Sequence, residues 1–301
     1  MYKLAILFFS IVMMVPAAFA AETTAAANEN DIFIPGRFMS LATAADGSIY
    51  LLTDANQVVC VNPDRSQKTI TLPMVMESKA GDRFCDLAVS GNTLAFCGFP
   101  FPVVFSVDLG NPVDYKIIRA SDQEAASLHL MNISIDQAGW RVRDADGLVF
   151  QLADGKPLLR LPEFATLEAD EGNKAVLMPP PRNENGVMIT GRVQKEDGRP
   201  LWVAPVPEAP RQVMSVDFLG FDNNGRHVFV VMTASGELDS EFTAYAVRRG
   251  KVVASGQIPG PAGLEMQRFY RLAPDGSIVY AQAGENNNEK GIVIKRLQLN
   301  E

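Results

Sequence analysis

From about residue 30 onward, short apolar stretches rich in Val, Ile, Leu, Phe and Tyr alternate with polar positions and with Asp-Gly, Asn-Gly and Gly-Asn pairs. An alternation with a period of two predicts half-buried β-strands, and these pairs predict tight turns between them. No long window combines helical periodicity with capping residues. Short strands separated by regular turn signals indicate a sandwich, a barrel or a propeller.

One motif, Arg-Phe-x-x-Leu-Ala, occurs three times in the chain and favours the propeller. The copies are Arg37–Ala42, Arg83–Ala88 and Arg268–Ala273. Each copy precedes a turn and a second apolar run, as expected for a β-hairpin whose turn needs positive φ in the primed geometry. The turn pairs are Asp46-Gly47, Gly91-Asn92 and Asp275-Gly276.

Weaker copies fill the middle of the chain, so that repeat units begin near residues 38, 84, 128, 174, 218 and 268. Their spacing, roughly 44 to 50 residues, is the size of a four-stranded propeller blade. The fourth unit is the least regular: we take Lys174–Met178 as its inner strand, Val187–Ile189 as its second strand and 163–173 as an insertion between blades.

The last unit lacks one strand, and Asp31–Ile34 at the other end of the chain can supply it. A strand that completes the last blade closes the ring and removes two open sheet edges. The sequence therefore predicts an all-β, six-bladed β-propeller over 31–301, with four-stranded blades and closure by an N-terminal strand.

The first twenty residues have the pattern of an export signal. Residues 4 to 15 are apolar except for Ser10, Pro16 ends this run, and Ala18-Phe19-Ala20 is a small-x-small cleavage pattern. The run is shorter than the roughly 20 residues that span a bilayer, which argues against a membrane anchor. We expect a signal peptide at 1–20, a flexible leader at 21–30 and an extracytoplasmic protein, periplasmic or secreted.

The hairpin from Leu41 to Tyr50 and the blade-sized repeat resemble six-bladed β-propellers of the NHL and TolB-like kind. The resemblance covers nearly all of the chain after the signal segment, and it implies a fold rather than a chemistry. Propellers of this kind typically bind a protein, a peptide or a small molecule at one mouth of the central channel, and some carry metal-dependent hydrolase sites there.

The arginines that open the three motif copies, Arg37, Arg83 and Arg268, are the candidate ligand-binding residues. Units six, one and two are consecutive around a closed ring, so these cations would lie on one arc of one channel mouth. Guanidinium groups suit carboxylates, and this arc would bind an anionic partner or small ligand. In the alternative interpretation, each arginine pairs with a nearby acid such as Asp82, Asp86 or Glu265.

An alternative function is a metal-assisted hydrolase or lactonase with its site in the channel. The oxygen ligands available on predicted inner strands are Asp86, Asn132 and Asp217, with His129 nearby. Such ligands suit calcium or another hard cation. The chain has no G-x-S-x-G, P-loop, H-E-x-x-H or C-x-x-C motif, so the sequence leaves open whether the protein is an enzyme.

Composition narrows the possible partners. The chain has 27 Lys+Arg against 35 Asp+Glu and a net charge of −8, which argues against a nucleic-acid partner. With two His and three Cys, we predict no metal centre and no cofactor. A two-residue turn at Gly91-Asn92 would put Cys97 opposite Asp86 and leave Cys85 free, whereas a turn one residue longer would allow a Cys85–Cys97 disulfide.

Overall fold

A computed structural model describes residues 25–26, 31–72, 84–98, 102–121, 128–136, 139–144, 148–161, 169–170, 173–178, 192–195, 200–205, 207–236, 239–260, 269–286 and 288–300. Every regular element in these residues is a β-strand. The first fourteen are β1 (Ala25–Ala26), β2 (Ile32–Pro35), β3 (Phe38–Thr43), β4 (Ile49–Thr53), β5 (Gln57–Val61), β6 (Gln67–Thr71), β7 (Asp86–Ser90), β8 (Thr93–Cys97), β9 (Val104–Asp108), β10 (Asn111–Ile118), β11 (Leu130–Asp136), β12 (Gly139–Asp144), β13 (Val149–Leu152) and β14 (Leu159–Arg160).

The remaining strands are β15 (Ala169–Asp170), β16 (Asn173–Met178), β17 (Arg192–Lys195), β18 (Pro200–Val203), β19 (Gln212–Phe221), β20 (His227–Ala234), β21 (Ser240–Arg248), β22 (Lys251–Ile258), β23 (Tyr270–Leu272), β24 (Ile278–Asn286) and β25 (Glu289–Leu297). No helix that could span a bilayer occurs in the described part of the chain.

In the described residues the strands form five four-stranded sheets and one five-stranded sheet. Each four-stranded sheet is an antiparallel meander of consecutive strands, beginning with β3, β7, β11, β15 or β19. The closing sheet contains β23, β24 and β25 from the C-terminal end together with β1 and β2 from the N-terminal end. The prediction that every blade has four strands is therefore wrong for the closing sheet.

The inner strands pack side by side around an axis. Strand β3 contacts β7, β7 contacts β11, β19 contacts β23, and β23 contacts β3, whereas in the fourth sheet it is the second strand, β16, that contacts β19. This is the arrangement of a β-propeller, so the predicted all-β propeller class is confirmed. The predicted closure is also confirmed, because β2 is antiparallel to β25 with Ile32 opposite Ile294 and Pro35 opposite Gly291.

The fourth sheet differs from its prediction. Lys174–Met178 belongs to β16, which is the second strand in the sheet order rather than the first. The first strand is β15, which falls within the predicted insertion at 163–173. It is antiparallel to β16, with Ala169 opposite Lys174 and Asp170 opposite Asn173. The predicted strand at Val187–Ile189 lies outside the described residues.

The predicted hairpins form, but two of the three turns have another geometry. At Asp46-Gly47 the connection has three residues: the Gly47 N–H donates to the Ala44 carbonyl at 2.9 Å and Gly47 has φ +89°. The Asp46 carboxylate accepts the Ser48 N–H at 2.9 Å, which favours this turn. The turn at Asp275-Gly276 is built in the same way. Only Gly91-Asn92 is a two-residue turn, between Ser90 and Thr93.

The core lies between neighbouring sheets, and the motif phenylalanines belong to it. Phe38, Phe84 and Phe269 are all buried. The rings of Phe38 and Phe269 stack with centroids 5.3 Å apart, which joins the first sheet to the closing sheet. Aromatic pairs of this kind add stability beyond the area they bury.

The three cysteines are free thiols. Cys97 lies opposite Asp86 in the β7–β8 ladder, as the two-residue turn predicts. The Cys85 thiol instead donates towards the Met131 carbonyl of the third sheet, at 3.2 Å. The structure therefore favours the free-thiol interpretation over the disulfide.

Candidate functional site

The fourth position of the repeated motif is occupied by Ser40, Asp86 and Arg271 in its three copies. These side chains lie close together in the inner ring, the ring formed by the inner strands of the sheets. The Ser40 hydroxyl donates to Asp86 Oδ1 at 2.5 Å. Arg271 Nη2 lies 3.7 Å from the same oxygen. Strands β3, β7 and β23 supply one residue each, so a hydroxyl, a carboxylate and a guanidinium come together from three consecutive sheets.

The third sheet completes this cluster through the other carboxylate oxygen. Asp86 Oδ2 accepts the Ile133 N–H at 2.9 Å and lies 3.5 Å from the side-chain nitrogen of Asn132. Ser40 and Asp86 are fully buried, and the Arg271 side chain is 18% exposed. A buried carboxylate needs such donors, because its charge is otherwise costly to remove from water. We call Ser40, Asp86, Asn132 and Arg271 the inner-ring cluster.

The inner-ring cluster does not favour the hydrolase alternative. Asn132 turns its amide NH₂ group, a donor, towards Asp86, and both oxygens of Asp86 already accept hydrogen bonds. Asp217 and His129 are exposed. Within the described residues, no three His, Cys, Asp or Glu side chains are grouped as metal ligands. The structure thus brings together two of the four candidate ligands, in an arrangement that holds sheets together.

Of the three predicted ligand-binding arginines, the structure describes Arg37, whereas Arg83 and Arg268 lie outside the described residues. Arg37 is exposed at the start of β3. Its peptide N–H donates to Asp54 Oδ1 at 3.2 Å, and the Asp54 N–H donates to the Arg37 carbonyl at 3.0 Å. The backbone of Arg37 is thereby fixed, while the residue as a whole is exposed.

Arg37 shares its end of the propeller with the tip of the β24–β25 hairpin. Gly284 of β24 pairs with Gly291 of β25, and Gly291 pairs with Pro35 of β2, two residues before Arg37. A Cβ on Gly291 would come within 2.5 Å of the Ile34 carbonyl oxygen, so the strands require glycine there. We call this end of the channel the Arg37 mouth.

A groove of about 800 Å³ lies at the opposite end, between the closing sheet and the first sheet. Its walls carry two ion pairs, Lys295–Asp31 at 3.6 Å and Arg296–Asp275 at 2.9 Å. Its lining includes Tyr280, whose pKa is raised by burial and by the nearby Asp31 carboxylate. Both charge signs are thus present and paired along this groove.

The inner-ring cluster was not predicted as a group, although the sequence carries a signal for it three residues after the constant arginine of the motif. The fourth position is the one at which the three copies carry Ser, Asp and Arg, a set that can form hydrogen bonds and an ion pair with one another.

Comparison with solved structures agrees with the propeller fold. The WD40 repeats of RRP9 match with a TM-score of 0.51 and 11% identity over 91% of this chain and 100% of that chain. A chain of the mitotic checkpoint complex matches with a TM-score of 0.50 and 11% identity, over 92% of this chain and 98% of that chain. No family model matches the sequence, and no curated protein matches it. At such identities the likeness shows the fold alone: the chain is a β-propeller.

Proposed function

We propose that this protein is an exported, six-bladed β-propeller of the NHL or TolB-like kind that acts as a binding or scaffold module for a protein, a peptide or a cell-envelope component. The observation that carries the proposal is the exposed Arg37 at one channel mouth, beside an inner ring whose polar groups are engaged with one another. Chemistry for recognition is therefore available at the mouth rather than inside the ring.

An anionic group is the ligand that suits this mouth. Guanidinium groups bind carboxylates through two parallel hydrogen bonds. Replacing an exposed arginine costs the fold little stability, because exposed charges contribute little to folding. Arg83 and Arg268 precede Phe84 and Phe269, which are buried as Phe38 is. In the sequence these two arginines occupy the same motif position as Arg37. The arc of Arg37, Arg83 and Arg268 is accordingly part of the proposal.

Export rests on the segment at 1–20. Its removal would leave a chain that begins near Ala21, which N-terminal sequencing of the protein from the extracytoplasmic fraction would detect. Recovery from membranes of protein that retains Met1 would contradict export, but it would not bear on the binding proposal.

The binding proposal is tested by capture of partners from the native extracytoplasmic fraction on immobilised protein. We expect Arg37→Ala, Arg83→Ala and Arg268→Ala each to weaken capture. The matched control is Arg160→Ala, since Arg160 is exposed on the outermost strand of the third sheet. If all three mouth variants capture as much partner as the control variant, a role for the arginines is refuted.

A further inference from the structure

The β19–β20 turn of the fifth sheet has the same backbone hydrogen bonds as the three-residue turns of the first and closing sheets, but different side chains. In each turn, the N–H of the first residue donates to the carbonyl of the fifth, and the N–H of the glycine donates to the carbonyl of the first. The first and fifth residues are alanine and serine in the first and closing sheets, whereas they are Asp222 and Arg226 in the fifth sheet. This ion pair is therefore not needed to build the turn.

Arg226 joins the turn to a segment near the C-terminal end of the chain. Its Nε donates to Asp222 Oδ2 at 2.5 Å, and its Nη1 donates to the Leu299 carbonyl at 3.2 Å. The side chains of Arg226 and Asp222 are only 7% and 1% exposed. A buried charge is costly unless its hydrogen bonds are satisfied, so the Leu299 carbonyl contributes to holding the guanidinium in place.

Leu299 lies in a segment that follows the last strand. Residues 298–300, which we call the strap, continue beyond the end of β25. Leu299 is buried, between the exposed Gln298 and Asn300. A Cβ on Gly256 of β22 would come within 3.3 Å of Leu299 Cδ2, so the leucine side chain lies against the fifth sheet. The strap thus connects the closing sheet to the fifth sheet through one apolar side chain and one carbonyl.

The turn held by the strap is part of the channel wall at the end opposite the Arg37 mouth. A hollow of about 240 Å³ there, which we call the lower hollow, is lined by residues at the ends of β3, β19 and β23. One of its lining residues is the half-buried Phe221, which directly precedes Asp222. Movement of the turn at 222–226 therefore moves this wall of the lower hollow.

We propose that the strap is a conformational lock. When attached, it holds the turn at 222–226 and keeps the lower hollow narrow; when detached, it lets this wall open while β2 still closes the ring. Segments with few hydrogen bonds open locally at the lowest free energy. Among the described residues, one hydrogen bond holds the strap, the one from Arg226. The inference concerns the end of the channel opposite the Arg37 mouth and does not depend on the proposed binding function.

Amide exchange in the equivalent turns tests the lock. Leu299→Ala removes the apolar anchor, a chain that ends at residue 297 removes the strap, and Asn300→Ala is the matched control. We expect the Asp222 and Gly225 amides to exchange about tenfold faster in both altered chains and to be unchanged in the control. The amides that make the same two bonds in the first sheet should keep their rates. Acceleration of both turns alike, or of neither, would overturn the proposal.

Thiol modification in the lower hollow gives a second readout. Ala273 is buried and lines the hollow, so Ala273→Cys reports on access to it. The chain without an added cysteine gives the background of the native thiols, and Ala95→Cys, at a buried position in the second sheet, is the control. We expect Leu299→Ala to speed modification of the Ala273→Cys chain about tenfold and to leave the Ala95→Cys chain unchanged. Equal rates for the Ala273→Cys chain with and without Leu299→Ala would overturn the proposal.

Arg226→Lys tests whether the strap acts through the guanidinium. Lysine keeps the charge beside Asp222 but lacks the planar fork that reaches two partners. We expect this change to accelerate exchange in the turn at 222–226 of the full chain, and to add little in the Leu299→Ala chain, because both changes break the same contact. Effects that add in full would mean that the strap and the turn are independent, and the lock would be wrong. The comparison needs only single substitutions and their combination, so it decides the question even if the chain that ends at residue 297 does not fold.

Discussion

Substitution of Asp86 tests whether the inner-ring cluster holds the sheets together. Asp86→Ala removes the acceptor for Ser40 and Ile133 and the counter-charge of Arg271. Asp86→Asn keeps the size of the side chain and can still accept from Ile133 through its carbonyl and bond to Ser40 through its amide. The pair of variants therefore separates loss of all contacts from loss of the charge alone.

The expected cost follows from burial and from the number of contacts. Hydrogen bonds to a charged group contribute about 1.5–3 kcal/mol each, and removal of one partner of a buried pair costs about 3–5 kcal/mol. Asp86 is fully buried and accepts hydrogen bonds from Ser40 and Ile133, so Asp86→Ala should cost about 3–5 kcal/mol. Asp86→Asn should cost about half as much, since charge-assisted bonds are roughly twice as strong as neutral ones.

Thermal unfolding measures the difference. At about 2 °C per kcal/mol for a protein of this size, Asp86→Ala should lower Tm by about 6–10 °C. Glu208→Ala is the matched control, because Glu208 is an exposed carboxylate. Adding Ser40→Ala to Asp86→Ala should cost less than the sum of the single changes, since the two side chains share one contact. A Tm for Asp86→Ala within about 1 °C of the control would refute the reasoning.

Three further predictions concern the mouth, the closure and the turns. Arg37→Ala should cost less than about 1 kcal/mol by thermal melts while weakening capture; a large Tm loss would mean that Arg37 is structural. Removal of residues 21–29 should barely change Tm, whereas removal of 21–35 deletes β2 and should lower it markedly; equal midpoints would contradict closure by this strand. Burial raises the pKa of Asp275, but hydrogen bonds from Ser277 and the charge of Arg296 together outweigh it and hold the pKa below its ordinary value. The stability that this lowered pKa contributes is present above the unfolded pKa of Asp275 and is lost as pH falls through the folded one. Ser277→Ala removes a hydrogen bond to the carboxylate and should therefore raise the pKa of Asp275 in an NMR titration. An unmoved pKa would contradict this.

The fold was predictable where the repeat is regular. Strand periodicity and the spacing of the motif copies predict the hairpins at β3–β4, β7–β8 and β23–β24, and the missing last strand predicts closure by β2. The turn type predicted at Asp46-Gly47 was wrong: the Asp46 side chain accepts the Ser48 N–H and favours a three-residue turn, whereas the Asp-Gly pair alone predicts a two-residue one. The repeat spacing also predicts Lys174–Met178 as the inner strand of its sheet. This is wrong because β15, which the spacing does not reveal, comes before it in the sheet order.

The site was less predictable than the fold for a physical reason. A repeat shows which positions recur, but contacts between repeats depend on how far each sheet turns around the axis. From the sequence, Asp86 is a candidate partner for the motif arginines or a candidate metal ligand. The structure gives it Ser40 from one neighbouring sheet, the Ile133 N–H from the other, and Arg271 from the sheet beyond Ser40. Only the ring geometry decides that assignment.

The motif therefore has different roles at its first, second and fourth positions. The phenylalanine at the second position packs between sheets, as the Phe38–Phe269 stack shows, and this role suits any sheet of the ring. The fourth position is different, because Ser40 donates to Asp86 and Arg271 lies 3.7 Å from the same carboxylate, so the three copies carry complementary side chains there. The first position, at Arg37, is exposed and costs the fold little. A residue that neither packs nor pairs in the ring is available for recognition, which is why we place binding at the mouth and stability in the inner ring.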